Sequence, residues 1–304
     1  MRSHYFSITI PILVLPLLAV NARAGPILLG TASSYAVLGQ AGVTNTGSSH
    51  IFGNVGGSTG TPAVTGFPPG SVVPPGVLLT GSSTAFSDAT AGYNSAQGVA
   101  GAVNLTGQTL GVGLGNNLVG GVYRFNSSVS LNGALMLDAG GSNTASWIFQ
   151  IGSTLTTASA SSVQVFNAGN SGPYTGTITW AVGSAATLGT TTAFQGTIIS
   201  QAASVLNTGA TIGCGRVISL AAAVTLDTNT ISMGNCAALA GIGGTGGTGG
   251  TGGTGGTGGT GGTGGPVGAA VPEPGTIALL GSGLLALILR RSFRRPSQTL
   301  KPTT

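Results

Sequence analysis

The chain has 304 residues, of which only 9 are Lys or Arg and 4 are Asp or Glu. Across residues 25–242 the bases are Arg124 and Arg216 and the acids are Asp88, Asp138 and Asp227, a balance of 2 − 3 = −1 with no Lys, so the formal net charge of +5 belongs to the termini. A nucleic-acid binder needs a basic face to neutralise phosphates, and a body without one excludes that class of partner. The 57 glycines suggest low complexity, yet apolar residues recur through the first 240 positions, enough for a packed core in one elongated domain or two small ones.

Residues 1–24 open with Arg2 and His4, continue through an apolar run at 8–20, and end in Ala22-Arg23-Ala24 before Gly25. This is the plan of a secretory signal peptide, and the mature chain is expected to start at Gly25. A membrane anchor fits less well, because the run is short for a bilayer and is broken by Pro11 and Pro16.

In the body, Pro62, Pro68, Pro69, Pro74 and Pro75 mark a loop-rich stretch. Residues 82–103 follow, with Ala, Gln and Asp in place of β-branched residues and apolar side chains at Ala85, Phe86, Ala89, Tyr93 and Ala96. That spacing predicts one long helix, opened by a Ser82/Ser83 cap and lying along the rest of the domain. Gly111-Val112-Gly113-Leu114-Gly115 has the look of a phosphate loop but lacks the following helix and Lys, so it reads as turns.

The second half repeats itself. Phe149-Gln150-Ile151-Gly152-Ser153-Thr154-Leu155 is echoed by Trp180-Ala181-Val182-Gly183-Ser184, and Gly196-Thr197-Ile198-Ile199-Ser200 returns as Gly215-Arg216-Val217-Ile218-Ser219. Val205, Thr211 and Ile212 match Val224, Thr230 and Ile231 in the same register of 19 residues. Repeats of this length, built from short β-rich pieces and turns, predict coils of an irregular β-helix, each burying a ladder of Val, Ile, Leu and Phe. Trp147 and Trp180 sit in matched strand segments and read as core. Cys214 and Cys236 lie near the last repeat, where no further repeat is expected to cover the core. In an exported chain a disulfide is favoured over two reduced thiols, and no Cys or His stands at metal-ligand spacing, so neither a metal nor another cofactor is expected.

Residues 243–265 run as Gly-Gly-Thr, a flexible linker with an r.m.s. span of about 25–30 Å. Residues 266–304 hold Pro272-Glu273-Pro274, an apolar segment at 276–289 and a cluster opening with Arg290-Arg291. Such a segment before positive charges acts as a translocation stop, although fourteen residues are marginal for a permanent transmembrane helix. The order resembles the bacterial PEP-CTERM sorting signal. That resemblance implies transient inner-membrane association, processing by an exosortase-type enzyme, and release or attachment at the cell surface.

Leu29-Gly30-Thr31-Ala32, Tyr35-Ala36-Val37-Leu38, Thr44-Asn45-Thr46-Gly47, Ile51-Phe52-Gly53-Asn54, Gly121-Val122-Tyr123-Arg124-Phe125, Trp147-Ile148-Phe149-Gln150 and Leu206-Asn207-Thr208-Gly209 occur in that order across the body. As a set they resemble the microbial ice-binding-like domain, over residues 25–242. The resemblance implies an all-β dominated fold, an irregular right-handed three-faced β-solenoid of discontinuous coil order with one long helix alongside, and adsorption to an ice crystal surface.

Catalysis is not expected. Asp88, Asp138 and Asp227 read as cap, turn or solvated residues, and His50 is the body's single histidine, without a visible partner. What remains is hydroxyl and methyl surface. Thr presents both on a rigid stem, and a solenoid repeats such side chains about every 4.8 Å. The candidates for an ice-binding array are Thr156, Thr157, Thr190, Thr191, Thr208, Thr211, Thr228 and Thr230, with the parity of each pair left open because a one-residue slip exchanges the faces. The alternative is a cell-surface or biofilm-matrix adhesin that binds exopolysaccharide.

Overall fold

The computed structural model describes residues 24–58, 64–113, 117–169 and 173–234. Residues 1–23 of the expected signal peptide at 1–24, Cys236, the expected linker at 243–265, and the sorting motif with its apolar segment, Pro272, Glu273, Pro274, Arg290 and Arg291 lie outside the described residues. Among the described residues, no helix is long and apolar enough to cross a membrane.

Short strands pair in parallel to form three sheets of nine, seven and eight strands, so each coil contributes to three faces. The seven-stranded sheet shows why. Its strands Val129–Leu131, Leu155–Thr157, Ala186–Leu188, Ser204–Leu206 and Val224–Leu226 place buried side chains at both ends and a more exposed one between. Three residues of period-two alternation are enough to bury two side chains before the chain turns a corner.

The coil order is discontinuous, as the resemblance implies. Tyr35–Gly39 pairs with both Asn54–Gly57 and Val217–Ser219. Val43–Asn45 pairs with Val224–Leu226, and His50–Phe52 with Thr230–Ser232. The first coil therefore covers the last repeat, which corrects the expectation that the cysteine end of the body is open. The chain then travels back along the nine-stranded sheet through helix α1, Ser83–Gly98, before coiling again from Val103. Its 16 residues span about 24 Å, against about 38 Å for eight strand steps, so α1 covers most of that sheet.

The helix ends earlier than the expected residue 103. Val99 turns extended, and Val103–Asn104 joins the sheet beside Tyr123 and Arg124, as suits β-branched residues between glycines. Ser82 occupies the N-cap position, but its hydroxyl meets Tyr35 Oη at 3.0 Å instead of capping. At the other end Gln150 Nε2 donates to Ala96 O and Val99 O at 2.9 and 2.8 Å, and Arg124 Nε holds Gln150 Oε1 at 2.9 Å.

Where Ala85, Phe86, Ala89 and Ala96 of α1 pack on it, the nine-stranded sheet is apolar on both sides. Outward-facing Leu38, Ile199 and Ile218 pack with Ala85, Phe86 and Ala89, while Val122, Ile148 and Ala181 pack with Ala96. Inside the solenoid Tyr123, Phe149, Trp180 and Phe194 form a stack with centroid steps of 5.7, 3.9 and 4.9 Å. Both tryptophans are fully buried and donate Nε1 to Leu118 O and Gln195 O, at 3.0 Å each, as expected of core residues. Burial pushes the Tyr123 hydroxyl up to about 12.

The corners are polar inside. Ser49 Oγ donates to Asn45 Oδ1 at 2.6 Å and accepts Asn229 N at 2.9 Å, while Asn229 Nδ2 serves Asn207 O and Ala210 O at 3.0 and 2.9 Å. These side chains satisfy the carbonyls and amides that the strands leave at each bend, where an unpaired buried group would be costly.

Trp180→Ala removes the centre of the aromatic stack and should cost about 3–5 kcal/mol, measured by urea unfolding. A second expectation concerns acid. The Asp88 carboxylate accepts from Thr31 Oγ1 and Thr31 N at 2.6 and 2.7 Å, which holds it below its ordinary value of 3.8. A depressed native value stabilises the fold above about pH 4 and loses that effect as pH falls through it. The Tm deficit of Asp88→Asn should therefore be present at pH 7 and shrink toward pH 3.

Candidate functional site

The seven-stranded sheet faces solvent with one continuous column of short side chains. Register places Ser130 beside Thr156, Thr156 beside Thr187, Thr187 beside Val205, Val205 beside Thr225, Thr225 beside Thr44, and Thr44 beside Thr65. Five of these seven rungs are Thr, and Val205 keeps the same branched shape without the hydroxyl. Ser130, Thr156 and Thr44 are exposed and the others half-buried by their neighbours. At about 4.8 Å per rung the column is about 29 Å long.

A second column lies two residues earlier on each coil. Val129 N bonds Thr154 O, Leu155 N bonds Ala185 O, Ala186 N bonds Ala203 O and Ser204 N bonds Ala223 O, which aligns Thr154, Ala185, Ala203 and Ala223. Every side chain in it is small and uncharged. β-Branched Thr has few rotamers, so methyls and hydroxyls repeat in two directions on a rigid support. Such an array can carry water over its methyls while its hydroxyls hydrogen-bond into that layer at regular intervals.

The candidate threonines separate by position. Thr156 stands in the column. Thr157 does not face solvent, which corrects its place in the array: it points inward, is 3% exposed, shares a 2.8 Å hydroxyl contact with Thr192 and accepts Gly189 N. Thr190 and Thr208 are exposed at the next corner, where Thr208 Oγ1 donates to Asp227. Thr191 and Thr228 are corner residues in the left-handed region, both at φ 56°, where they reverse the chain. Thr211 and Thr230 pair with each other on the eight-stranded sheet, in a column continuing to His50.

That eight-stranded face is less regular. Its outward positions include Met136, Gln164, His50 and Phe52, which differ in length and flexibility. Thr44, Thr65, Thr187 and Thr225 are absent from the sequence-derived set. A legible signal existed: the triplets Ala186-Thr187-Leu188 and Val224-Thr225-Leu226 place Thr between two inward apolar residues, as Val129-Ser130-Leu131 does for Ser.

Each charge of the body is engaged in structure. Asp88 holds Thr31, Asp138 accepts Gly140 N and Asn167 Nδ2 at 2.8 Å each, and Asp227 accepts the Thr208 and Thr228 hydroxyls. Arg124 holds Gln150, and Arg216 donates to Tyr35 O and Ser33 O. His50 Nδ1 lies 2.9 Å from Ser71 Oγ on an exposed strand. Gly111 and Gly113 take φ values of 80° and 56° within a turn. Among the described residues no group of His, Cys, Asp and Glu has a metal-binding arrangement.

Residues 37–232 match the ice-binding-like family, and residues 270–295 match the PEP-CTERM protein-sorting motif. The ice-binding protein of Nostoc sp. (strain HG1) is 38% identical over 297 residues, covering 95% of this chain and 97% of that protein. The ice-binding protein of Flavobacterium frigoris (strain PS1) is 34% identical over 219 residues, covering 67% of this chain and 75% of its relative. Among solved structures, the ice-binding protein of the Antarctic ascomycete Antarctomyces psychrotrophicus superposes with a TM-score of 0.61 at 38% identity, over 69% of this chain and 100% of that one. With its three parallel sheets and single covering helix, and with a match that spans most of the body, this chain belongs to the ice-binding-like family.

Proposed function

We propose that this protein is exported and adsorbs to ice through the threonine column of its seven-stranded sheet, inhibiting ice growth or recrystallisation without catalysing a reaction. The observation that carries the reading is the unbroken, uncharged column from Ser130 to Thr65. Among the described residues it is the one outward face in which short side chains, most of them branched, repeat on every rung. The relatives named ice-binding proteins support the same reading. An adhesin that binds exopolysaccharide draws no support from these relatives.

The sorting motif adds a route. We infer that the apolar segment at 276–289 holds the chain transiently in the inner membrane, that an exosortase-type enzyme processes it near Pro272-Glu273-Pro274, and that residues 243–265 then distance the solenoid from its attachment. Cys214 is disulfide-bonded, and we take Cys236, the chain's other cysteine, as its partner.

Thr156→Tyr and Thr44→Tyr should lower thermal hysteresis and recrystallisation inhibition severalfold while shifting stability by about 0.5 kcal/mol or less, as exposed strand positions allow. Thr230→Tyr, on the eight-stranded sheet, should keep full activity. Loss of activity in Thr230→Tyr alone would move the site to that face, and a folded mature protein inactive on ice would reject the function. For the cysteines, thiol labelling of the unfolded, unreduced mature protein should find no free thiol, and reduction should cost about 3 kcal/mol.

A further inference from the structure

The nine-stranded sheet carries a polar site that the threonine column does not use. Thr179 pairs with Thr197 on its outward side, Thr177 stands two residues before Thr179, and Arg216 continues the row on the next strand, since Ile198 pairs with Val217. Ile27 and Leu29 of the N-terminal segment lie over these residues and, with Ile199, close a cavity of about 50 Å³. A single water needs roughly 10–15 Å³, so the space admits an ion or a few waters.

Among the described residues the threonine hydroxyls lining this space lack protein acceptors, while Arg216 donates only to backbone carbonyls. Arg216 donates Nε to Tyr35 O at 3.2 Å and Nη2 to Ser33 O at 3.1 Å. No carboxylate among the described residues pairs with it, and burial lowers its guanidinium pKa from the ordinary value. Thr179 is 4% exposed, Thr177 Oγ1 is buried, and among the described residues no protein acceptor takes the hydroxyls of Thr177, Thr179 or Thr197. A partly buried cation without a counter-charge is costly, and hydroxyls that can donate face the same space. A metal cation is repelled by the guanidinium. A tetrahedral oxyanion would need more room and more donors. Water satisfies the hydroxyls but leaves the charge unmatched.

We propose that this cavity binds one small monovalent anion, a halide, held by Arg216 and the threonine hydroxyls under Ile27 and Leu29. The ion ties the N-terminal segment to the coil containing Arg216, at the join where the first coil covers the last. If the protein works at ice, a consequence that rests on the proposed function, growing ice concentrates salt in the remaining liquid, and the site fills as the join is most needed.

The test uses no ice and so stands apart from that reading. Crystals of the mature protein soaked in sodium bromide should show one anomalous peak among Thr177, Thr179, Thr197 and Arg216. In solution, Tm should rise saturably with sodium chloride or bromide but not with sodium gluconate at equal ionic strength, because gluconate is too large to enter. Thr179→Val keeps the shape of the side chain and should raise the half-saturating halide concentration about tenfold, the loss of one hydrogen bond to a charge. Arg216→Gln should abolish the bromide peak; if it fails to fold, Thr179→Val decides. Water alone in the cavity, an equal response to gluconate, or an unchanged halide response in Thr179→Val would overturn the proposal.

Discussion

Parallel strands stacked in register at about 4.8 Å impose one demand on this molecule: whatever a residue does on one coil, its neighbours above and below must be able to do too. Inward positions therefore become continuous ladders of apolar side chains, the in-register row of Tyr123, Phe149 and Trp180 being one case. Outward positions become columns as well. Register, which serves the core, thus aligns Ser130, Thr156, Thr187, Val205, Thr225, Thr44 and Thr65 on the surface without any contact among them being required.

The same demand creates two problems, and the chain meets both with its own residues. Corners break the ladder of backbone hydrogen bonds, and buried Asn45, Ser49, Thr157, Thr192 and Asn229 restore partners there. The nine-stranded sheet is covered by α1, whose small residues Ala85, Ala89 and Ala96 let it lie close to Leu38, Ile199 and Ile148. The seven-stranded sheet has no such cover and carries Thr where the helix-covered sheet carries Ile and Val. The sides of the solenoid differ in chemistry because they differ in what covers them.

The scarcity of charge fits this division. Asp88 and Arg216 bind the N-terminal segment to the helix and to the last coil, while Asp138 and Asp227 tie corners. None stands in the threonine column. A charged side chain there would orient water around itself, which an uncharged methyl and hydroxyl array does not.

The sequence by itself determined the sorting motif, the near-absence of charge, the helix beginning at Ser82/Ser83, and strands that alternate with period two. Each is encoded by residues close together in the chain. It did not determine which threonines share a face. Ser204 pairs with Val224, 20 residues on, but Thr211 pairs with Thr230, 19 residues on, so one corner is a residue shorter and matched repeats do not mean matched orientation. That is why Thr156 and Thr157 were adjacent candidates and only Thr156 faces out. The tertiary structure alone decided that the first coil covers the last, because contacts between Tyr35–Gly39 and Val217–Ser219 join segments at opposite ends of the body. The 19-residue repeat already aligns Thr197 with Arg216, but only the tertiary structure places Ile27 and Leu29 over them.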